Sequence, residues 1–249
     1  MSTERKHTAV ELNDGVAELV LSRPERKNAV TGPLVAELRA ALDALAADDA
    51  CRVVLMRGAE GVFCSGLDLK EFNAEPRPDW LAGFQPGWRA LHEQLFRFDK
   101  PVVCAMEKYA INAGAALALS ADLLVAGSDA FLQVGEVLQG RPAPMNLAWL
   151  RFRFGDALTR RVVLLGARIP AGELVRLGIA FEVVEPAEVL PRARQLAAEL
   201  AAMPPSGLAA TKAALRALDL PGGPNSWFEL AAAAVAGSAP AGPIPSLKR

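Results

Sequence analysis

Apolar positions along this chain follow two rhythms. Val53-Val54-Leu55-Met56 and Val102-Val103-Cys104-Ala105-Met106 are unbroken apolar runs, the pattern of strands covered on both faces. Thr8–Leu12 and Val16–Leu21 are shorter strand-like runs, and Asn13-Asp14-Gly15 between them is a hairpin signal. Leu34, Leu38, Leu42 and Leu45 instead recur at helical spacing, which predicts a helix from Pro33 to Ala47 with Thr31 as its N-cap. Strand, helix, strand in that order implies a right-handed α/β crossover. Residues 73–90, rich in Pro, Gly and Trp, read as a loop with a partial helix that firms up at Leu91, Leu95 and Phe96. Further helices are expected around Leu147–Phe154, Ala157–Gly166, Ala171–Leu177, Pro191–Met203, Gly207–Leu218 and Ser226–Ala236, with a strand at Ile179–Val184. The pattern divides the chain into an α/β core, residues 1–185, and a helical region, 186–249. The latter ends in a Pro/Gly-rich tail, Ala239–Arg249, expected to be mobile.

One stretch, Lys100–Glu136, organises the rest. An apolar strand leads through a turn-like link, Glu107–Ile111, into the small-residue run Asn112-Ala113-Gly114-Ala115-Ala116-Leu117-Ala118-Leu119, and strands follow at Asp122–Ala126 and from Phe131. This order sets a helix N-terminus, with unpaired N–H groups and a partial positive charge, beside a strand end. Such a corner suits an anion or a developing oxyanion, and it equally suits a tightly packed helix that needs small residues. A second Gly-bounded corner, Cys64-Ser65-Gly66-Leu67-Asp68, leads towards another helix. On its own it reads as an ordinary turn.

Composition narrows the options. The 249 residues carry a formal net charge of −1, without the clustered basic excess of a nucleic-acid binder. Cys51, Cys64 and Cys104 lie in apolar surroundings without a C-x-x-C pair, which points to reduced thiols in a cytoplasmic protein. The first residues lack an apolar signal segment, and the longest apolar run is too short to span a bilayer. His, Cys and carboxylates show no metal-ligand spacing. Lys108 and Lys212 read as solvated charges. From residue types alone, a Ser65–His92–Asp68 triad is conceivable.

Four stretches in order resemble the crotonase superfamily, the enoyl-CoA hydratase/isomerase family. They are Ser22-Arg23-Pro24 with Asn28-Ala29; Phe63–Lys70; Lys100–Asp122; and Leu165-Gly166 through Ala171 to Gly178-Ile179-Ala180, together spanning about residues 8 to 215. The resemblance implies a spiral of β-β-α turns with a C-terminal helical trimerisation region and assembly as a homotrimer or hexamer. It implies an acyl-CoA substrate and no cofactor besides the coenzyme A that is part of that substrate. Neither a nucleic-acid partner nor a membrane is implied. Carried onto this chain, the thioester oxygen would accept from the backbone N–H groups of Leu67 and Ala113. Arg26, Lys27, Ala29, Ser65, Gly66, Asp68, Leu69, Lys70, Gly114 and Ala116 would border the substrate, with Lys70 towards its nucleotide end. Glu136 resembles the acid–base glutamate that follows the second strand.

Departures from the family pattern sharpen the expectation. The family's hydratases use two glutamates, and the helix position of one is here Ala116, whose methyl group cannot activate water. Asn112 and Ala113 stand where the family has glycines, and Gly135 stands where it commonly has proline. The tail lacks the family's usual Phe-plus-Lys ending, which weakens any CoA contact from Lys248. A single carboxyl, Glu136, favours one-base double-bond isomerisation over hydration. The alternatives are a hydratase with an unidentified second acid, or a silent acyl-CoA-binding protein.

Overall fold

The structure is a computed structural model that describes residues 6–218 together with Phe228, Glu229 and Ala233. The expected helix at 226–236, the tail and Lys248 lie outside the described residues. In chain order the elements are β1 (Thr8–Asn13), β2 (Val16–Leu21), α1 (Gly32–Ala47), β3 (Val53–Gly58), α2 (Leu69–Phe72), α3 (Leu81–Arg97), β4 (Val102–Met106), β5 (Tyr109–Ile111) and α4 (Ala113–Ser120). There follow β6 (Leu123–Gly127), β7 (Phe131–Gln133), α5 (Pro144–Leu165), β8 (Arg168–Pro170), α6 (Ala171–Arg176), β9 (Glu182–Val184), α7 (Val189–Ala201) and α8 (Pro205–Leu218).

β1 and β2 pair through a two-residue turn, Asp14-Gly15, in which both residues take positive φ (48° and 82°), as the sharp hairpin turn requires. The hairpin opens a six-stranded sheet of order β1-β2-β3-β4-β6-β9, parallel from β2 onwards. Alternate residues of β3 and β4 face opposite sides, and both sides are covered. Val54, Met56, Val102, Cys104 and Met106 join the main core with α1, α3 and α4. Val53, Leu55, Val103 and Ala105 join a second cluster with Val189, Ala193, Leu196 and Ala197 of α7. The unbroken apolar runs of these strands are thereby explained.

A smaller sheet, β5-β7-β8, lies along the spiral. β4 is followed by β5 and α4, and β6 by β7 and α5, so each turn lays one strand in the large sheet, one in the small sheet and then a helix. An isolated bridge from Cys64 to Ala110 carries the preceding turn onto the same small sheet. This is the α/β spiral that the resemblance implied.

Local differences have local causes. β5 occupies the link read as a turn, and β8 was not anticipated; three residues are too few to show a two-residue period. Most of the loop expected at 73–90 is helix: α3 starts at Leu81 and tolerates Pro86 within its second turn. Trp80, Phe84, Trp88 and His92 there form a continuous row of ring contacts, and that packing overrides weak local propensity. Gly155 (φ 77°, ψ 178°) breaks α5 into two helices at the place where the sequence pattern separates them. Lys212 is not solvated: its Nζ donates to the Lys100 carbonyl (2.8 Å) and to Asp122 Oδ2 (2.7 Å), fastening α8 to the start of β4. Of the leucines in the last two helices, Leu196 is buried, Leu200 packs partly against the second cluster and Leu215 is exposed. No helix among the described residues is long and apolar enough to cross a membrane.

Candidate active site

α4 is buried from Gly114 to Ser120. Its small residues let it lie against the segment leading to α2: a Cβ on Gly114 would stand 2.6 Å from the Cys64 carbonyl oxygen and 2.7 Å from Cys64 Cβ. At its N-terminus Asn112 takes φ 52° and ψ −110°, a conformation that glycine enters far more readily. The cost of replacing glycine therefore falls on Asn112, while Ala113 is ordinary helix. Asn112 also supplies bonds that glycine cannot. Its Oδ1 accepts from the Gly135 N–H (2.8 Å), and its Nδ2 donates to Gln139 Oε1 (3.2 Å). Ala113, the first helical residue, has no carbonyl within the helix to which its N–H can donate.

The second corner arrives beside this one. Cys64 N–H donates to the Tyr109 carbonyl and Ile111 N–H to the Cys64 carbonyl, so residues 64–66 run along β5. Gly66 (φ 97°) then passes so close that a Cβ there would meet the Ile111 carbonyl oxygen at 2.9 Å and Asn112 Cβ at 3.5 Å. Val30 N–H donates to the Gly66 carbonyl and Asp68 N–H to the Val30 carbonyl. Leu67 between them makes no such bond to Val30, and its N–H faces away from that bridge.

A buried ionic brace holds the Leu67 corner. Arg26 pairs with Asp68 through two bonds (Nη2–Oδ1 2.6 Å, Nε–Oδ2 3.1 Å). Arg23 Nη2 reaches Asp68 Oδ2 (3.1 Å) and Glu71 Oε1 (2.5 Å), and its Nη1 donates to the Ala29 carbonyl (2.6 Å). Asp68 also caps α2 by accepting from the Glu71 N–H. Burial pushes the Asp68 carboxyl up, but the Arg26 bonds, the cap and the two guanidinium charges outweigh it and hold the carboxyl below its usual range. Asp68 and Arg26 thus meet each other, and Asp68 supports the corner from within the fold. Ala29 is buried beneath it, Ser65 donates to the Arg26 carbonyl (3.4 Å), Leu69 opens α2, and Lys27 and Lys70 are exposed. Asn28, whose side chain bonds Arg23, Ala59 and Val62, locks the preceding loop at φ 54°.

Glu136 begins a short 3-10 turn after β7. The residue is partly exposed, but its carboxyl end is shut off: Oε2 is buried and meets no hydrogen-bond donor among the described residues. Oε1 accepts from Asn146 Nδ2 of α5 at 3.0 Å, and the same Nδ2 donates to the Asn112 carbonyl at 3.1 Å. Burial pushes the Glu136 carboxyl up to about 7, against the smaller lowering effect of its own backbone and Asn146. A carboxyl poised there can take and return a proton at neutral pH. Ala116, one turn inside α4, is a buried methyl whose N–H donates to the Asn112 carbonyl (3.0 Å).

The raised carboxyl has a consequence for folding. A group protonated more readily in the folded state contributes stability at low pH, which is lost as pH rises from 4.5 to about 7. Glu136→Gln removes that ionisation, so its stability relative to the parent should improve between pH 5 and pH 8 by about 3 kcal/mol. Chemical denaturation at both pH values measures this, and a difference independent of pH would contradict the burial of this carboxyl.

The structure gives no support to the Ser65–His92–Asp68 triad. His92 is fully buried, its Nδ1 accepts from Trp149 Nε1 (2.8 Å), and burial lowers its pKa to about 3. Asp68 is held by arginines. Two residues that matter here were not singled out in sequence. Arg23 was visible only as part of a loop motif. Asn146 was visible only as the last residue of a Pro-containing loop, 142–146, that leads into an apolar helix.

The model of the enoyl-CoA hydratase/isomerase family matches residues 11–220. The chain is 32% identical over 209 residues to the Escherichia coli 1,2-epoxyphenylacetyl-CoA isomerase, covering 82% of this chain and 80% of that one. It is 34% identical over 204 residues to the carnitinyl-CoA dehydratase of Proteus mirabilis, covering 81% and 77%. Among solved structures, an enoyl-CoA hydratase/isomerase from Xanthobacter autotrophicus superposes with a TM-score of 0.79 at 28% identity, covering 93% of this chain and 84% of that one. An enoyl-CoA hydratase from Mycobacterium avium subsp. paratuberculosis shares the fold with a TM-score of 0.83 over 95% of each chain, at 24% identity. Matched over most of its length by the family model and by relatives on both criteria, this chain belongs to the enoyl-CoA hydratase/isomerase family.

Proposed function

We propose that the chain shifts a carbon–carbon double bond in an acyl-CoA thioester, with Glu136 as its single acid–base group. The observation that carries this reading is the pairing of one buried carboxyl, with Oε2 unpartnered, and a methyl at Ala116 where a second carboxyl would be needed. The thioester oxygen would sit between the N–H groups of Leu67 and Ala113. The approach of Gly66 to Ile111 and Asn112, and the freedom of both N–H groups from the neighbouring backbone bonds, support this. The Glu136 carboxylate breaks a C2–H bond of a 3-enoyl thioester, and the electron pair delocalises onto the thioester oxygen. The double bond re-forms between C2 and C3 as the carboxyl returns the proton to C4. Two backbone donors aimed at the oxyanion contribute on the order of 3 kcal/mol each in comparable sites. Arg26, Lys27, Ala29 and Lys70 border the route that the rest of the coenzyme A would take, with Ser65, Gly66, Asp68, Leu69 and Gly114 shaping the two corners. The reaction needs no further cofactor.

Water addition asks more of the site: it must hold a water and deliver both proton and hydroxyl, most easily with two opposed carboxyls. The test is crotonyl-CoA hydration against 3-hexenoyl-CoA isomerisation on one preparation. Isomerisation is expected to exceed hydration. Hydration at the rate of an efficient hydratase would overturn the one-base reading, and inactivity towards both would favour a silent binding protein.

A further inference from the structure

We propose that Asn146 is a positioning residue for Glu136: by holding Oε1 it leaves Oε2 as the atom that exchanges the proton, and it ties that carboxyl to the first turn of α4. The inference rests on the reading of Glu136 as the acid–base group and adds which side chain orients it and which of its oxygens works.

The geometry is specific. Asn146 is 2% exposed, and its two Nδ2 hydrogens are divided between Glu136 Oε1 (3.0 Å) and the Asn112 carbonyl (3.1 Å). The Asn112 carbonyl also accepts from Ala116 N–H, and Asn112 Oδ1 holds Gly135, the residue before Glu136. The oxyanion corner and the carboxyl are therefore fixed to each other at two points, one through the Asn112 side chain on the Gly135 N–H and one through the Asn146 amide. A carboxyl free to rotate about its terminal torsion presents either oxygen. With Oε1 committed, only the buried, unpartnered Oε2 remains. Proton transfer between two carbons of one substrate needs a single oxygen held over both, so a fixed rotamer serves the reaction directly.

Asn146 of α5 donates to the carboxyl itself, Asn112 and Gln139 bond to each other beside the Glu136 turn, and Arg141 N–H donates to the Glu136 carbonyl. Among the described residues, no neighbouring charge contributes to the displacement of the Glu136 ionisation. Among the described residues, Asn146 is the one side chain that stabilises the ionised form, so removing it moves the ionisation upward.

The test reads ionisation without substrate. Infrared pH titration, as the difference between the parent and Glu136→Gln, isolates the band of the protonated Glu136 carboxyl, with a midpoint near 7 expected for the parent. Asn146→Leu, close in volume and without a donor, should raise the midpoint by about one pH unit. Asn146→Ala should raise it in the same direction, and it carries the test should the leucine variant fold poorly. In turnover, both should lower kcat about tenfold or more at neutral pH while KM stays within about twofold, and the acid limb of the rate profile should follow the infrared midpoint. A midpoint unchanged or lowered in both variants would overturn the proposal. If Glu136→Gln keeps full activity while the infrared shift is still seen, the acid–base reading fails, yet the hold of Asn146 on the carboxyl stands. If Glu136→Gln is inactive and the midpoint does not move, only the positioning role falls.

Discussion

Glu136→Gln is expected to reduce turnover by about 10² to 10⁴, equivalent to roughly 3 to 5 kcal/mol of transition-state stabilisation, with little loss of CoA affinity. The asymmetry between turnover and affinity follows from where the group sits. Glutamine keeps the shape and the Oε1 acceptor, so the bond from Asn146 survives. The atom replaced at the other position is Oε2, the one without a partner in the fold. The two corner N–H groups and the Arg23–Asp68 brace lie on other elements and are untouched. Measured as kcat/KM for a 3-enoyl-CoA beside the dissociation constant of CoA, the variant should separate chemistry from binding. Loss of CoA affinity in step with turnover would mean that Glu136 holds the pocket together and does not serve the reaction.

The second large effect is on stability and comes from the opposite side of the site. Asp68→Ala should destabilise the fold by about 3 kcal/mol, since removing one member of a buried ionic group leaves its partner charged and unsatisfied. The Arg23 side chain is 5% exposed and the Asp68 side chain is fully buried. Arg23 would retain Glu71 and the Ala29 carbonyl, and Arg26 can turn to solvent, so the loss should stay at the lower end for a buried pair. The cap of α2 is lost as well, adding about 1 kcal/mol. Asp68→Asn keeps the cap acceptor and should lie between the two. Urea unfolding of the three proteins measures the series. An alanine variant within about 1 kcal/mol of the parent would show that the brace is not a source of stability. On the proposed reading the Leu67 N–H is a donor set by this corner, so the same substitution should weaken turnover without touching any reacting atom.

The parts of this fold written in one segment at a time were legible in the sequence. Thr31 caps α1 and Leu34, Leu38, Leu42 and Leu45 are all buried, because capping and helical spacing are local properties. β3 and β4 were legible because burial on both faces leaves unbroken apolar runs. β5 and β8 were not, since a three-residue strand is defined by its partner and carries almost no pattern. The site divides in the same way. Glu136, Leu67 and Ala113 are candidates that motifs alone supply, whereas the grip of Asn146 on Glu136 joins residues from separate elements that no spacing rule connects. Lys212 shows the limit from the other side: a lone lysine on a polar helix face looks solvated until Asp122, far back in the chain, is placed beside it.

The order of the large sheet, β1-β2-β3-β4-β6-β9, never reverses along the chain. Each new strand is laid against the most recently placed one, and none has to be threaded between two that are already paired. A chain emerging from the ribosome N-terminus first therefore always finds its docking edge finished before the strand that needs it exists. The candidate site inherits that timetable: the Cys64–Leu67 segment is made before β5, α4 follows, then the turn bearing Glu136, with Asn146 last to arrive.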